Sequence, residues 1–98
     1  MSSMRTYLIS FDVADDHRRA RLSKLLESRG QRVQWSVFEI LGTAATIRSL
    51  LDLATAAGRF DAAEDSLRCY PLCAECQGKV LVFGTGPPPA APGSPLVL

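Results

Sequence analysis

A carboxylate near the end of an alternating segment is the clearest candidate for chemistry in this sequence. Asp12 follows a run in which Tyr7, Ile9 and Phe11 occupy every second position, and this pattern predicts a β-strand over residues 5–13. A carboxylate can bind a hard cation such as Mg²⁺, and the cation can polarise a phosphoryl group or activate water. A single carboxylate is a poor metal site, so two copies of Asp12 would have to meet across a dimer axis. From the residues alone, a capping or turn aspartate is the simpler interpretation.

Basic residues are concentrated in the first third of the chain, although the formal net charge of all 98 residues is only +1. Such a cluster predicts a local basic face that can attract phosphate groups. The alternative is an ordinary solvated helix face. The residues concerned are Arg5, Arg18, Arg19, Arg21, Lys24, Arg29 and Arg32.

The three cysteines fit a reducing compartment better than a disulfide framework. Cys73 and Cys76 have the spacing of a metal-binding pair, but one such pair supplies only half of the roughly four ligands of a structural zinc site. The only histidine, His17, is distant in sequence. We therefore favour structural or incidental cysteines over zinc ligands, and we expect Cys69 to lie in the core within a strand.

The elements that would position these residues follow from periodicity. Asp15 and Asp16 predict the N-cap and first turn of a helix, and Gly30 is expected to end it in a left-handed conformation. Residues 32–41 form a second extended segment, which is either one long bent strand or two short strands that separate near residues 34–36. A second helix over 43–57, ended by Gly58, and strands over 65–72 and 79–83 complete the pattern. In the first helix, the residues predicted to face the core are Leu22, Leu25 and Leu26.

This order of elements predicts an α+β fold of the ferredoxin-like, βαββαβ type over residues 1–84. Residues 85–98 are expected to form a Pro-rich linker and a short C-terminal strand made of Leu96, Val97 and Leu98. That strand would add to a sheet edge of its own chain or of a partner, although a disordered terminus is equally compatible with the composition. A domain of this size gains stability by dimerisation. The chain has no apolar run long enough to span a bilayer and no signal peptide, so we expect a cytoplasmic protein without a membrane partner.

Four segments together resemble the CRISPR-associated Cas-two family. They are YLISFDVADDHRRARL at residues 7–22, RVQWSVFE at 32–39, DSLRCYPLCAEC at 65–76 and VFGTGP at 82–87. The resemblance covers nearly the whole chain in the same order. Trp35 stands where the family usually has tyrosine.

The resemblance implies a dimeric ferredoxin-like protein whose last strand crosses to the partner's sheet. It implies a role in spacer acquisition, in which the homodimer binds double-stranded DNA and bridges two dimers of the CRISPR integrase. Some members of the family are metal-dependent endonucleases that act on RNA or double-stranded DNA. The alternatives are a toxin-like metal-dependent ribonuclease outside CRISPR and a non-catalytic ferredoxin-like module.

By the same resemblance, Asp12 would bind the metal, Mg²⁺ or Mn²⁺. Arg19, Arg21, Arg32 and Phe38 match positions tied to nuclease activity, and Ser36 lies beside them in the same motif. The expected nucleic-acid contacts are Arg18, Arg19, Arg21 and Arg32.

Overall fold

The computed structural model describes residues 4–56, 58–85 and 96–97. The first six elements run in the order βαββαβ, which confirms the predicted α+β ferredoxin-like fold. Within the described ranges, no helix has the length and apolar character needed to cross a membrane. The elements are β1 (Arg5–Asp12), α1 (Asp16–Glu27), β2 (Gln31–Gln34), β3 (Val37–Gly42), α2 (Ala44–Ala54), β4 (Ser66–Pro71), the short helix α3 (Ala74–Gln77), β5 (Leu81–Val82) and β6 (Leu96–Val97).

Four strands form an antiparallel sheet in the order β2-β3-β1-β4. Strand β1 therefore lies inside the sheet, with β3 on one side and β4 on the other. At its end, Asp12 pairs with Ser66 of β4. The backbone that carries Asp12 is thus held by the sheet.

The extended segment over residues 32–41 consists of two strands, which settles the alternative that the sequence left open. Strands β2 and β3 are antiparallel neighbours, and their register shifts between Arg32 and Gln34. The turn between them contains Trp35 and Ser36. The amide of Phe11 donates a hydrogen bond of 3.1 Å to the carbonyl oxygen of Ser36, so this turn lies beside the end of β1.

The core packs one face of the sheet against the helices. Alternate residues of β1 are buried there, as their spacing predicts. Burial of each such large apolar side chain stabilises the fold by about 1.5–3 kcal/mol. The buried cluster includes Tyr7, Ile9, Phe11 and Phe38 from the sheet, Leu22 and Leu26 from α1, and Ile47 and Leu50 from α2.

Helix α1 begins as predicted but ends differently. The Asp15 side chain caps it by accepting a hydrogen bond of 2.9 Å from the amide of Arg18. The expectation of a left-handed Gly30 is wrong, because the described glycines with positive φ are Gly58 and Gly84. Gly30 is needed for a different reason: a Cβ atom there would lie 2.5 Å from the carbonyl oxygen of Glu39 and 2.5 Å from Cγ1 of Ile40. The connection after α1 therefore passes too close to β3 for any side chain.

The C-terminal strand forms a separate two-stranded parallel sheet with β5, in which Leu81 pairs with Leu96 and Val82 with Val97. A short strand at this position was expected, and within the single chain it pairs with the chain's own β5. Leu98 and the linker residues 86–95 lie outside the described residues. Pairing of this strand with a partner's sheet, and the domain boundary near residue 84, stay predictions.

Candidate functional site

Asp12 is exposed at the end of β1, where it lines a depression of about 210 Å³. The central position of β1 and the hydrogen bond from Phe11 to Ser36 bring this end of the strand next to the β2–β3 turn. The other lining residues are Phe11, Val13, Arg19, Trp35 and Ser36. A carboxylate, a guanidinium and a hydroxyl thus share one open depression.

Arg19 is oriented by three hydrogen bonds from its guanidinium. Nε donates to the carbonyl oxygen of Val13 at 3.2 Å, Nη1 to Oδ1 of Asp16 at 2.7 Å, and Nη2 to the carbonyl oxygen of Ala14 at 3.4 Å. Two of the five N–H donors of an arginine are left for a ligand. The structure therefore places a fixed positive charge beside Asp12.

Arg32 is held between an ion pair and two aromatic rings. Its Nη2 atom lies 2.7 Å from Oε1 of Glu27. Its guanidinium carbon lies 5.3 Å from the ring centre of Trp35 and 5.2 Å from that of Phe38, distances that favour cation–π attraction. The Nε atom is buried and has no hydrogen-bond partner among the described residues.

Phe38 is fully buried, and its ring stacks on that of Phe11 with centroids 6.1 Å apart. It therefore contacts the site through Phe11, which lines the Asp12 depression, and through the guanidinium of Arg32. If Phe38 affects activity, as the family resemblance implies, this geometry indicates that it acts by positioning Arg32.

A second depression, of about 380 Å³, adjoins the first through two shared residues, Arg19 and Trp35. Lys24, Glu27 and Arg32 also line it. We call the combined area the Asp12 surface; it comprises Asp12, Arg19, Lys24, Glu27, Arg32, Trp35 and Ser36. Three of the sequence-predicted site residues, Asp12, Arg19 and Arg32, meet on it.

Arg18 and Arg21 lie elsewhere, so the basic residues of α1 do not all lie on the Asp12 surface. Successive residues of a helix are about 100° apart, and the basic side chains consequently point in different directions. Arg21 is exposed and lines a separate depression with Lys24, Leu25, Ser28 and Arg59. Arg18 is occupied by an ion pair with Asp65.

Asp65 is a structural residue that the sequence did not single out. Its side chain is fully buried and accepts hydrogen bonds from Nε (2.9 Å) and Nη2 (3.1 Å) of Arg18. It also accepts from the amides of Ala14 at 3.1 Å and Asp61 at 2.9 Å. These bonds, above all those from Arg18, lower the pKa of Asp65 to about 2. Arg18 and Ala14 flank the start of α1, so Asp65 fixes the chain that immediately follows Asp12.

A single chain would supply only part of the metal site expected at Asp12. Within residues 4–56, 58–85 and 96–97, no three His, Cys, Asp or Glu side chains come together as a metal-binding group. Mg²⁺ in proteins is often held by one or two carboxylates, with water and substrate phosphates as the remaining ligands. The exposed Asp12 carboxylate fits that role as one ligand, and a second would have to come from a partner protomer.

The cysteines separate into two kinds. Cys69 lies within β4, as expected, but it is half-buried and packs against the core rather than inside it. Burial raises the pKa of its thiol. Cys73 and Cys76 are exposed at α3, where the amide of Cys76 lies 3.3 Å from the sulfur of Cys73. Hydrogen bonds from Cys76 lower the pKa of Cys73, and the same thiol contact raises the pKa of Cys76.

Residues 4–80 match the sequence model of the family described as CRISPR associated protein Cas2. The chain belongs to this family. The Cas2 assignment confirms the resemblance inferred from the four sequence segments, and the rest of the comparisons agree with it.

One relative, the CRISPR-associated endoribonuclease Cas2 1 of Chloroflexus aurantiacus, is 43% identical over 83 residues, which cover 85% of this chain and 88% of the relative. The crystal structure of Streptococcus pyogenes Cas2 superposes with a TM-score of 0.68 at 32% identity, covering 81% of this chain and 99% of that one. A chain of a partial Cas6-RT-Cas1–Cas2 complex matches with a TM-score of 0.50 at 32% identity, covering 74% and 83% of the two chains.

Proposed function

We propose that this Cas2 protein acts as a homodimer that binds double-stranded DNA and bridges two dimers of the CRISPR integrase during spacer acquisition. We further propose that it cleaves phosphodiester bonds of RNA or DNA at the Asp12 surface with Mg²⁺ or Mn²⁺. The observation that supports this best is the convergence of Asp12, Arg19 and Arg32 on one surface beside a rigid strand end. A carboxylate next to fixed guanidinium groups suits a phosphodiester substrate.

In the proposed cleavage, Asp12 would be the protein's ligand to the cation, which when bound polarises the scissile phosphoryl group. Arg19 would donate its two remaining N–H groups to the phosphate oxygens, in an orientation set by Val13, Ala14 and Asp16. Arg32 adds a second positive charge, whose position depends on Glu27 and Phe38.

The proposed nucleic-acid contacts divide into two groups. The first group, on the Asp12 surface, consists of Arg19, Lys24 and Arg32. The second group, Arg21 and Arg59, lines a neighbouring depression that shares Lys24 with this surface. Arg18 stays a candidate contact, but its guanidinium already binds Asp65 and Glu64. We therefore expect Arg18 to contribute less to phosphate binding than Arg19, Arg21 or Arg32.

The double variant Arg19→Ala/Arg32→Ala is expected to weaken binding of a short DNA duplex and to make it less sensitive to salt. Each lost phosphate contact should reduce the slope of log affinity against log salt by about 1, so the pair should reduce it by about 2. Filter binding across a salt series measures this. Arg48→Ala is the matched control, because Arg48 is exposed on α2 and pairs only with its helix neighbour Asp52 in the described contacts. An unchanged slope in the double variant would show that the duplex lies on another surface.

Truncation after Gly93 tests the proposed dimer and its bridging role. Removal of residues 94–98 takes away β6, the strand that we propose pairs with the partner's sheet, so we expect the dimer dissociation constant to rise at least about tenfold. The truncated chain should also fail to bring two integrase dimers into one particle with a short duplex. Sedimentation and co-purification with the cognate integrase, beside the full-length chain at equal concentrations, measure both effects. Unchanged sedimentation and assembly would contradict the dimer role of this strand.

A further inference from the structure

Trp35 is a large aromatic side chain left exposed in the turn between β2 and β3. It is 75% exposed, the most of any large hydrophobic side chain among the described residues. A single exposed apolar residue needs no explanation by itself. Trp35, however, lines both depressions of the Asp12 surface, so it lies next to the carboxylate and to the basic side chains at once.

The ring of Trp35 also contacts the side chain of Arg32, which is itself held in place. The guanidinium of Arg32 lies 5.3 Å from its centre, and that guanidinium is itself held by Glu27 at 2.7 Å and by the buried ring of Phe38 at 5.2 Å. This arrangement restrains the indole before a ligand binds. Stacking of a ligand on the ring therefore causes only a small further loss of side-chain conformational entropy. The exposed part of the ring remains open to such a ligand.

Nucleic-acid bases are flat ligands that match this arrangement. Every base has a π-face, and proteins bind single strands by stacking bases on aromatic side chains beside basic groups that contact the phosphates. Arg19, Lys24 and Arg32 are basic groups that line the same depression as Trp35. Within a duplex, the faces of a base are covered by its neighbours, so an internal paired base cannot stack on Trp35.

We propose that Trp35 is a stacking platform for an unpaired base, which places a single strand of nucleic acid across the Asp12 surface. This inference rests on the proposed function and specifies the kind of nucleic acid that the Asp12 surface binds. The substrate of the Asp12 surface is then an unpaired segment, such as a single-stranded RNA or a DNA overhang. A continuous blunt duplex would contact the basic groups without engaging the indole.

The experiment uses the fact that Trp35 is the only tryptophan of the chain, so its fluorescence reports on this one site. The full-length protein in EDTA is titrated with single-stranded RNA, single-stranded DNA of the same sequence and a blunt duplex. Each is also followed by the anisotropy of a label on the oligonucleotide. We expect strong quenching of Trp35 by the single strands and little by the duplex. Tighter binding of RNA than of DNA would add a contribution from the 2′-hydroxyl, and equal binding would assign recognition to the base alone.

Variants separate stacking from other roles of the side chain. Trp35→Ala should weaken single-strand binding by on the order of tenfold to a hundredfold, as loss of a stacking aromatic does. Trp35→Phe keeps an aromatic face and should stay within a few-fold of wild type. Leu53→Ala, which removes another exposed apolar side chain from α2, should change nothing. Circular dichroism checks that all three variants are folded.

Binding of labelled single strands without quenching, or with equal affinity by Trp35→Ala, would overturn the stacking proposal and leave the proposed function standing. Absence of binding to any of the nucleic acids would overturn both. A change in Trp35 emission on dilution of the protein alone would assign the side chain to a contact between protomers, and would also overturn the proposal.

Discussion

Asp12→Asn is expected to lower metal-dependent cleavage of RNA or DNA by roughly a hundredfold or more. The substitution keeps the shape of the side chain but replaces a charged oxygen ligand by a neutral amide, which binds a hard cation more weakly. Because Asp12 is exposed and its backbone is held by β4, the fold should be preserved, with a change in stability within about 0.5 kcal/mol.

The assay compares carefully purified wild type and Asp12→Asn with and without Mg²⁺. Asp52→Asn is the matched control, because it removes a carboxylate from an exposed pair on α2 and should leave cleavage unchanged. Spacer integration with the integrase should survive Asp12→Asn, since a bridging role requires the dimer but not cleavage. Cleavage by Asp12→Asn at the wild-type rate would exclude Asp12 from the site.

Asp65→Ala is expected to lower the melting temperature by roughly 10 °C or more. Removal of one partner of a buried ion pair leaves the other charge and its hydrogen-bond donors uncompensated. Here the side chains of Asp65 and Arg18 are 0% and 19% exposed, and the amides of Ala14 and Asp61 would lose the same acceptor. Asp52→Ala removes a solvent-exposed pair instead and should shift the melting temperature by only about 1–2 °C.

The same pair predicts how stability depends on pH. The pKa of Asp65 falls from its ordinary 3.8 to about 2 in the folded chain, so the folded state favours the ionised form. The stabilisation is fully present above pH 3.8 and is lost as the pH falls through about 2. The difference in stability between wild type and Asp65→Ala should therefore be constant near neutral pH and shrink towards pH 2.

A double-mutant cycle with Arg18→Ala decides whether the two side chains act as a pair. We expect the double variant to be destabilised by less than the sum of the single variants. Additive effects, or a stability difference that persists at pH 2, would contradict a role for the ionised pair. Thermal unfolding followed by circular dichroism measures all of these effects.

The sequence was sufficient for most of the fold because the deciding patterns are local. The alternation around Ile9 and Phe11 predicted β1, and Asp15 predicted the N-cap of α1. Gly30 shows where local reasoning fails: a glycine after a helix usually permits a left-handed residue, whereas here it permits a close approach to Ile40. That approach depends on the position of β3, which no pattern near Gly30 contains.

The candidate site was only partly predictable for the same reason. Asp12 was a candidate from its place at the strand end, and Arg19 and Arg32 from the basic cluster, but their roles were assigned through the family resemblance. The structure places all three on one surface. The ion pair between Arg18 and Asp65 joins residues 47 positions apart, and Glu27 meets Arg32 across the connection between α1 and β2. Spacing rules reach three or four residues along a helix, so neither partner could be assigned before the fold was known.

The central position of β1 has a consequence for synthesis of the protein. Although β1 is the first strand to be made, its neighbours begin only at Val37 and Ser66. A nascent chain must therefore carry an apolar strand with two open edges until β3 has emerged, and with one open edge until β4 has emerged. Asp12, the proposed metal ligand, pairs with Ser66. It is therefore synthesised early but reaches its final position only after β4 has been synthesised. An unfinished chain that ends before β4 cannot hold Asp12 in its final place.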